Sequence, residues 1–312
     1  MKRMRILAAL LLTFLSLQAC RSPADPAGTT HAAQDPTAVS VSGWQEQDGQ
    51  RVYIYADGSR ATGWLNVDGA RYFLDENGIL QTGWLYESGN TYYLDQNGSP
   101  VKGEVQIGGK TYHFASNGQR ILLVNPWNSV PEDYTPDLVT LSTSISSKDI
   151  TVDRSCYDAL VEMINACNAQ CPSVCVISGY RTNDYQAGLY NRKVTSYLDA
   201  GYSEADAKQA AAKVVAVPGT SEHQLGLAVD IIDTRSWSLT EVQETLPAQQ
   251  WLMENAWRYG FILRYPKDKT HSTGIIYEPW HYRYVGKELA KEIYDSGLTL
   301  EEYLQQLTKT QP

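Results

Sequence analysis

The chain runs to 312 residues, longer than one ordinary domain, and its 43% hydrophobic content is enough for a packed core. Only 20% of residues are charged, and the formal net charge of -9 comes without any stripe of Lys and Arg. Binding to a phosphate backbone is thereby excluded, because nucleic-acid recognition needs clustered basic side chains.

Lys2, Arg3 and Arg5 precede an apolar run from Ile6 to Leu17, shorter than the ~20 residues of a membrane span, so residues 1–20 are expected to be a signal peptide. Leu17-Gln18-Ala19-Cys20 resembles a bacterial lipobox, which implies a lipid on Cys20 as the sole membrane attachment; Gln18 is an unusual occupant and leaves a plainly secreted form open. Residues 21–42 are rich in Ala, Pro, Thr, Ser and Asp without apolar periodicity and read as a flexible tether. An exported protein on the outer face of a Gram-positive cell or in its wall is the expectation.

A repeat array follows over residues 43–121. Gly43-Trp44, Gly63-Trp64 and Gly83-Trp84 recur every 20 residues, with Gly103-Glu104 in phase, and Asp57-Gly58, Asn77-Gly78, Asn97-Gly98 and Asn117-Gly118 keep the same period. Such a period implies stacked units, and Asx-Gly pairs between short alternating runs are hairpin-turn signals. Val52 in the first unit and Glu104 and His113 in the last break the aromatic pattern, so the terminal units are expected to be caps without ligand pockets.

From 122 to 312 the pattern is α+β. A helix is expected over 155–170, with Leu160, Met163, Ile164 and Cys167 on one face and Asp153 as cap, then a strand through VCVIS that leaves Arg181 on the loop at its end. Residues 183–215 read as helical, interrupted at Gly201 and Ser203; 227–232 and 282–285 suit strands; 240–259 and 287–307 suit helices. Besides Cys20 there are Cys156, Cys167, Cys171 and Cys175. The first two, if on one helix, are about 16 Å apart, beyond the ~7 Å a disulfide spans. One bridge among the last three, or free thiols acting as small hydrophobes, are both open.

Two stretches carry the chemistry: SEHQLGLAVD (221–230) and EPWH (278–281). A hydrolytic zinc takes three protein ligands, leaves one position for water, and needs a carboxylate nearby to accept the water's proton. His223, Asp230 and His281 can be the ligands and Glu278 the base, held by Pro279 in a non-helical segment. Of the other histidines, His31 and His113 fall in tether and repeat, and His271 in a charged loop.

SGYRTNDYQ (178–186), the SEHQLGLAVD segment, GFILRYP (260–266) and EPWHYRYVG (278–286), in this order, resemble the VanY-type D-alanyl-D-alanine carboxypeptidases, zinc peptidases of the superfamily that includes the hedgehog domain. That resemblance, covering residue 122 almost to the C-terminus, implies Zn2+ on His223, Asp230 and His281, Glu278 as catalytic base, Arg181 on the substrate's terminal carboxylate, Gln186 and Ser221 hydrogen-bonding the terminal residue, and Trp280 as an aromatic wall. It implies removal of the terminal D-alanine from peptidoglycan stem peptides, as a D,D- or an L,D-carboxypeptidase; a cross-bridge endopeptidase and a catalytically silent wall-binding protein are the alternatives. The repeats resemble cell-wall-binding repeats of the choline- and glucan-binding type, which implies a choline-bearing teichoic acid or a glycan as partner, with Trp64, Tyr72, Trp84 and Tyr92 as candidate contacts.

Overall fold

The computed structural model describes residues 42–87, 90–132 and 134–309. The expected signal peptide, Cys20 and nearly all of the tether lie outside them. Among the described residues no helix is long and apolar enough to cross a membrane.

Four antiparallel hairpins open the described chain: β1 (Gly43–Gln47) with β2 (Gln50–Ile54), β3 (Gly63–Val67) with β4 (Ala70–Leu74), β5 (Gly83–Glu87) with β6 (Asn90–Leu94), and β7 (Gly103–Ile107) with β8 (Lys110–Phe114). A short β9 (Arg120–Ile121) adds to the last. The hairpin tips differ from the expectation. Asp48-Gly49 and Asp68-Gly69, both residues at positive φ, close the first two hairpins, as two-residue turns between twisted strands require. The phased Asx-Gly pairs instead turn the chain after each hairpin, Gly58 N–H donating to Tyr55 O and Gly78 N–H to Asp75 O. These turns fold back on the strand just left (Ile54 opposite Arg60, Leu74 opposite Leu80) and lay the next segment on its neighbour, where Leu80 N–H donates to Arg51 O. Glycine is required at 98, where an added Cβ would stand 2.6 Å from Leu80.

β10 (Leu138–Thr140) and β11 (Thr151–Asp153) form a small ribbon that leads into α1 (Arg154–Asn168). Asp153 caps α1 by accepting from Ser155 N–H, and Cys156, Leu160, Met163, Ile164 and Cys167 form its buried face. No two of the four described cysteines are bridged; Cys156 and Cys167 pack as small hydrophobes. Next come β12 (Val174–Ser178), α2 (Asn183–Asp199), α3 (Glu204–Ala212), β13 (Ala228–Asp233), α4 (Pro247–Asn255), β14 (Phe261–Leu263), the single turn α5 (Thr270–Thr273), β15 (His281–Tyr284), α6 (Lys287–Ser296) and α7 (Leu300–Lys309). The central sheet is antiparallel in the order β12-β13-β15-β14, with α1 and α4 packed on the apolar side chains of β12 and β13. This is the expected α+β domain behind a hairpin array.

Two expected helices are each broken. Within 240–259, Pro247 holds Leu246 extended (φ -93°, ψ 140°), so a short 3-10 turn stops there and α4 starts afresh. Within 287–307, Gly297 takes φ 65° as the C-terminal cap of α6. His271 lies on α5 with its side chain exposed.

Ser42–Pro312 is one compact unit. Ala115 and Ile121 from the end of the array share a core with Ile262, Val285, Leu289, Leu300 and Leu304. Ser116 Oγ donates to Glu292, and the Glu104 backbone N–H to Thr308 Oγ1. The boundary expected at 121/122 falls inside this shared cluster.

Candidate functional site

β13 and β15 pair so that Asp230 and His281 are direct cross-strand partners. His223 arrives from a 3-10 turn (Glu222–Leu225) that Gly226 ends at φ 72°. There the chain passes so close to the start of α1 that a Cβ on Gly226 would meet Asp153 N at 2.9 Å. His223 Nδ1 donates to the carbonyl of Gly179 at 2.7 Å, which leaves Nε2 with a free lone pair facing inward. Gly179 itself has no room for a side chain: a Cβ would stand 2.4 Å from Thr151 O.

One ligand atom each from His223, Asp230 and His281 lies within 4.8 Å of the others, and all three residues are buried. His223 Nε2 is 3.4 Å from Asp230 Oδ2, and His281 Nδ1 is 3.3 Å from Asp230 Oδ1. Tetrahedral bonds of about 2.0–2.2 Å place neighbouring donors roughly 3.3–3.6 Å apart; the two imidazoles meet that spacing to different oxygens of Asp230, so a small inward shift of the side chains would close the set on a zinc-sized ion. Glu278 and His281 end a β-turn, His281 N–H donating to Glu278 O with Pro279 between, which brings Glu278 Oε2 to 3.7 Å from His281 Nδ1.

The charges are uneven. Burial, helped by the Arg181 guanidinium, pushes His223 down to about 4, so its imidazole is neutral, as a ligand must be. Burial alone would raise Asp230, but the Arg181 guanidinium bonded to it holds it well below its usual value. Glu278 is pushed up to about 8 by burial, with the Asp230 charge adding to it. His281 rises to about 9 against its burial, because Asp230, Glu222 and Glu278 surround it with carboxylates. A cage of this kind attracts positive charge, whether a proton or a divalent cation.

The remaining expected residues are placed as follows. Arg181, on the loop after β12, donates to Asp230 Oδ2 at 2.5 Å and to Ser178 Oγ at 3.0 Å, so its head group borders the ligand set. Gln186 is buried; its Nε2 donates to Ala216 O at 2.8 Å, while Oε1 has no hydrogen-bond partner. Ser221 is buried just before the His223 turn and does not cap it. Trp280 is buried in the Glu278–His281 turn.

Sequence reasoning missed Glu222. It is fully buried, its Oε1 accepts from Arg264 Nε and Arg283 Nη1, both at 2.8 Å, and its Oε2 faces His281 Nε2 at 3.7 Å. Arg264 is held in turn by Glu301 at the start of α7. The readable signal was two arginines in largely apolar and aromatic surroundings, Arg264 directly after FIL and Arg283 between two tyrosines, which when buried require an anion.

Three buried side chains able to hold a divalent ion, beside a carboxyl raised toward neutrality, fit one class: a mononuclear metallohydrolase centre. The family model for VanY, D-alanyl-D-alanine carboxypeptidase, matches residues 149–287. Choline-binding repeat models match 41–78 and 61–99, and a cell wall binding repeat model matches 105–119. A D-alanyl-D-alanine carboxypeptidase of Enterococcus faecalis is 47% identical over 185 residues, 59% of this chain and 65% of the relative, so the chain spans just under two thirds of that relative's length. Solved structures of the vancomycin-resistance D,D-pentapeptidase VanY with Zn(II) (46% identity, TM-score 0.52, 58% of this chain and 97% of that one) and of the LD-carboxypeptidase LdcB (35%, 0.53, 66% and 94%) share the fold. The chain belongs to the VanY D-alanyl-D-alanine carboxypeptidase family.

Proposed function

We propose that this protein is a zinc-dependent carboxypeptidase that removes the terminal D-alanine from peptidoglycan stem peptides, held at the wall by its repeats. The observation that carries this reading is the buried His223, Asp230 and His281 set with Glu278 alongside. Zinc would be held by these three residues and would supply Lewis acidity and a lowered pKa for water. The chain's own groups do the rest. Glu278, pushed up to about 8, would be lowered by a neighbouring dication toward the working pH, where a carboxylate best accepts a proton and returns it to the leaving amine. Arg181 offers its guanidinium to the terminal carboxylate, and the unpaired Oε1 of Gln186 is an acceptor for a substrate N–H. The domain limits (signal peptide 1–20, tether 21–42, repeats 43–121, peptidase 122–312), export and a lipid on Cys20 belong to this proposal.

The test is mass spectrometry of stem pentapeptide and tetrapeptide after incubation with zinc-loaded protein. Loss of one D-alanine from the pentapeptide alone identifies a D,D-carboxypeptidase; loss from the tetrapeptide identifies an L,D-enzyme. Glu278→Ala should lower turnover by about 10²–10⁴-fold with zinc still bound by elemental analysis. Near-normal turnover in that variant would remove Glu278 from the mechanism.

A further inference from the structure

Each tryptophan of the array stands edge-on to two other rings, one across its own hairpin and one from the next. Trp44 meets Tyr53 and Tyr72 (centroids 5.3 and 4.9 Å), Trp64 meets Phe73 and Tyr92 (5.1 and 4.9 Å), and Trp84 meets Tyr93 and Tyr112 (5.1 and 4.9 Å). The terminal hairpins take part in the same ring arrangement as the middle ones, the first through Trp44 and the fourth through Tyr112. Aromatic boxes of this kind attract a desolvated cation.

Every box already has one. Arg51 Cζ lies 4.4 Å from the Trp44 ring centroid, Arg71 Cζ 3.7 Å from Trp64 and 5.9 Å from Tyr92, and Arg120 Cζ 4.8 Å from Tyr112 and 5.8 Å from Trp84. Arg51 and Arg71 occupy the same repeat position, seven residues after the tryptophan; at that position the third repeat has Thr91, and the guanidinium comes instead from β9. Three boxes filled from two different places in the sequence is a stronger pattern than one repeated residue would be. Arg71 is further fixed by donating to Asn117 O at 3.3 Å.

We infer that Arg51, Arg71 and Arg120 are built-in cations of the aromatic boxes, and that the array excludes quaternary ammonium groups such as choline and engages an uncharged glycan. This rests on the reading that the repeats hold the protein on a wall polymer. A trimethylammonium group needs the ring face that the guanidinium covers, and it must displace that cation without offering the rings a better one. What stays accessible outside the boxes is ring surface on Tyr55 and Tyr86, at 44% and 74% exposure, which suits stacking on sugar rings; the chain's net charge of -9 disfavours a polyanion.

The experiment uses the full chain. Calorimetric titration with choline should show no saturable binding to the wild type at millimolar concentrations, whereas Arg51→Gln and Arg71→Gln, which keep side-chain bulk and remove the charge, should gain affinity at least tenfold. Millimolar choline binding by the wild type, or no gain in folded variants, would overturn the inference. Co-sedimentation with purified sacculi is the second arm: retention on walls chemically stripped of their anionic polymers supports the glycan, and retention on intact walls alone overturns it. Failure to sediment with either wall overturns the glycan assignment together with the wall-anchoring reading, while the calorimetry still decides the role of the arginines.

Discussion

At Arg181 the structure joins two duties in one guanidinium. It balances the charge of Asp230 and, in the proposed reaction, meets the terminal carboxylate of the substrate. Because that contact positions the peptide rather than breaking a bond, Arg181→Ala should raise KM for a stem peptide by one to two orders of magnitude, roughly what loss of a charge-assisted bond costs. The fall in kcat should be smaller, and steady-state kinetics on the zinc-loaded variant separates the two. An equal loss in kcat with KM unchanged would place Arg181 among groups felt only in the transition state. These residues could be named as candidates because the proposed donors, base and anchor sit in short motifs whose chemistry is local. Glu222 was not, although it lies inside one of them: whether a carboxylate beside a histidine faces water or two arginines depends on where Arg264 and Arg283 are brought by other strands.

Elements, more than single residues, decide how stiffly the ligands are held. The turn carrying His223 also carries Glu222, so the ion pairs with Arg264 of the segment after β14 and Arg283 of β15 tie that turn to the interior strand from which His281 projects. Glu222 Oε2 faces His281 Nε2 at 3.7 Å, beyond hydrogen-bond reach, so in the proposed site it acts on that imidazole from behind through its charge. Glu222→Gln should weaken zinc affinity about 10–100-fold in a chelator competition, and in the cobalt-substituted protein it should change the visible absorption of the ion, which a purely structural loss elsewhere would not. Asp233, at the other end of β13, does comparable work for α4: its Oδ2 accepts from Ala248 N–H at 3.1 Å and its Oδ1 from the Arg235 backbone at 3.0 Å. Burial would raise its carboxyl, yet these bonds and Arg235 hold it below the ordinary 3.8. A carboxyl depressed in the native state gives its full stabilisation above the unfolded value and loses it as pH falls through the native one. Asp233→Ala should therefore cost about 1–3 kcal/mol at neutral pH in urea unfolding, and the difference from wild type should shrink below about pH 4. The α4 start was legible in Pro247, which forbids the helical conformation of Leu246; apolar periodicity across 240–259 hid the break, since a 3-10 turn and the helix after it present similar faces.

For the whole molecule, what matters is where the array ends and the peptidase begins. The 20-residue period made the hairpins visible in sequence, since Trp, Tyr and Gly mark every unit, and the period alone places a boundary near 121. Packing does not respect that boundary. Ile121 is 5% exposed and sits with Ala115 against Ile262, Val285 and Leu289, while Arg283 Nη2, on the same guanidinium that binds Glu222, donates to Leu122 O at 3.0 Å. The departures Glu104 and His113, which look like decay of a repeat, mark the hairpin that turns from stacking on a neighbour to docking on α7: the Glu104 N–H is bonded to Thr308, and His113, opposite it, is half-buried. Two truncations separate these views. A chain beginning at residue 102 keeps the fourth hairpin, β9 and the shared core, and should unfold cooperatively near the wild-type temperature. One beginning at 122 bares the apolar side chains of α6 and α7, loses Ile121, whose truncation to Ala alone should cost about 2–5 kcal/mol, and should melt several degrees lower with weaker zinc retention. If both truncations melted alike, the last hairpin would be a passenger on the peptidase; if the shorter one alone lost stability, it is the peptidase's own edge, borrowed from the repeats.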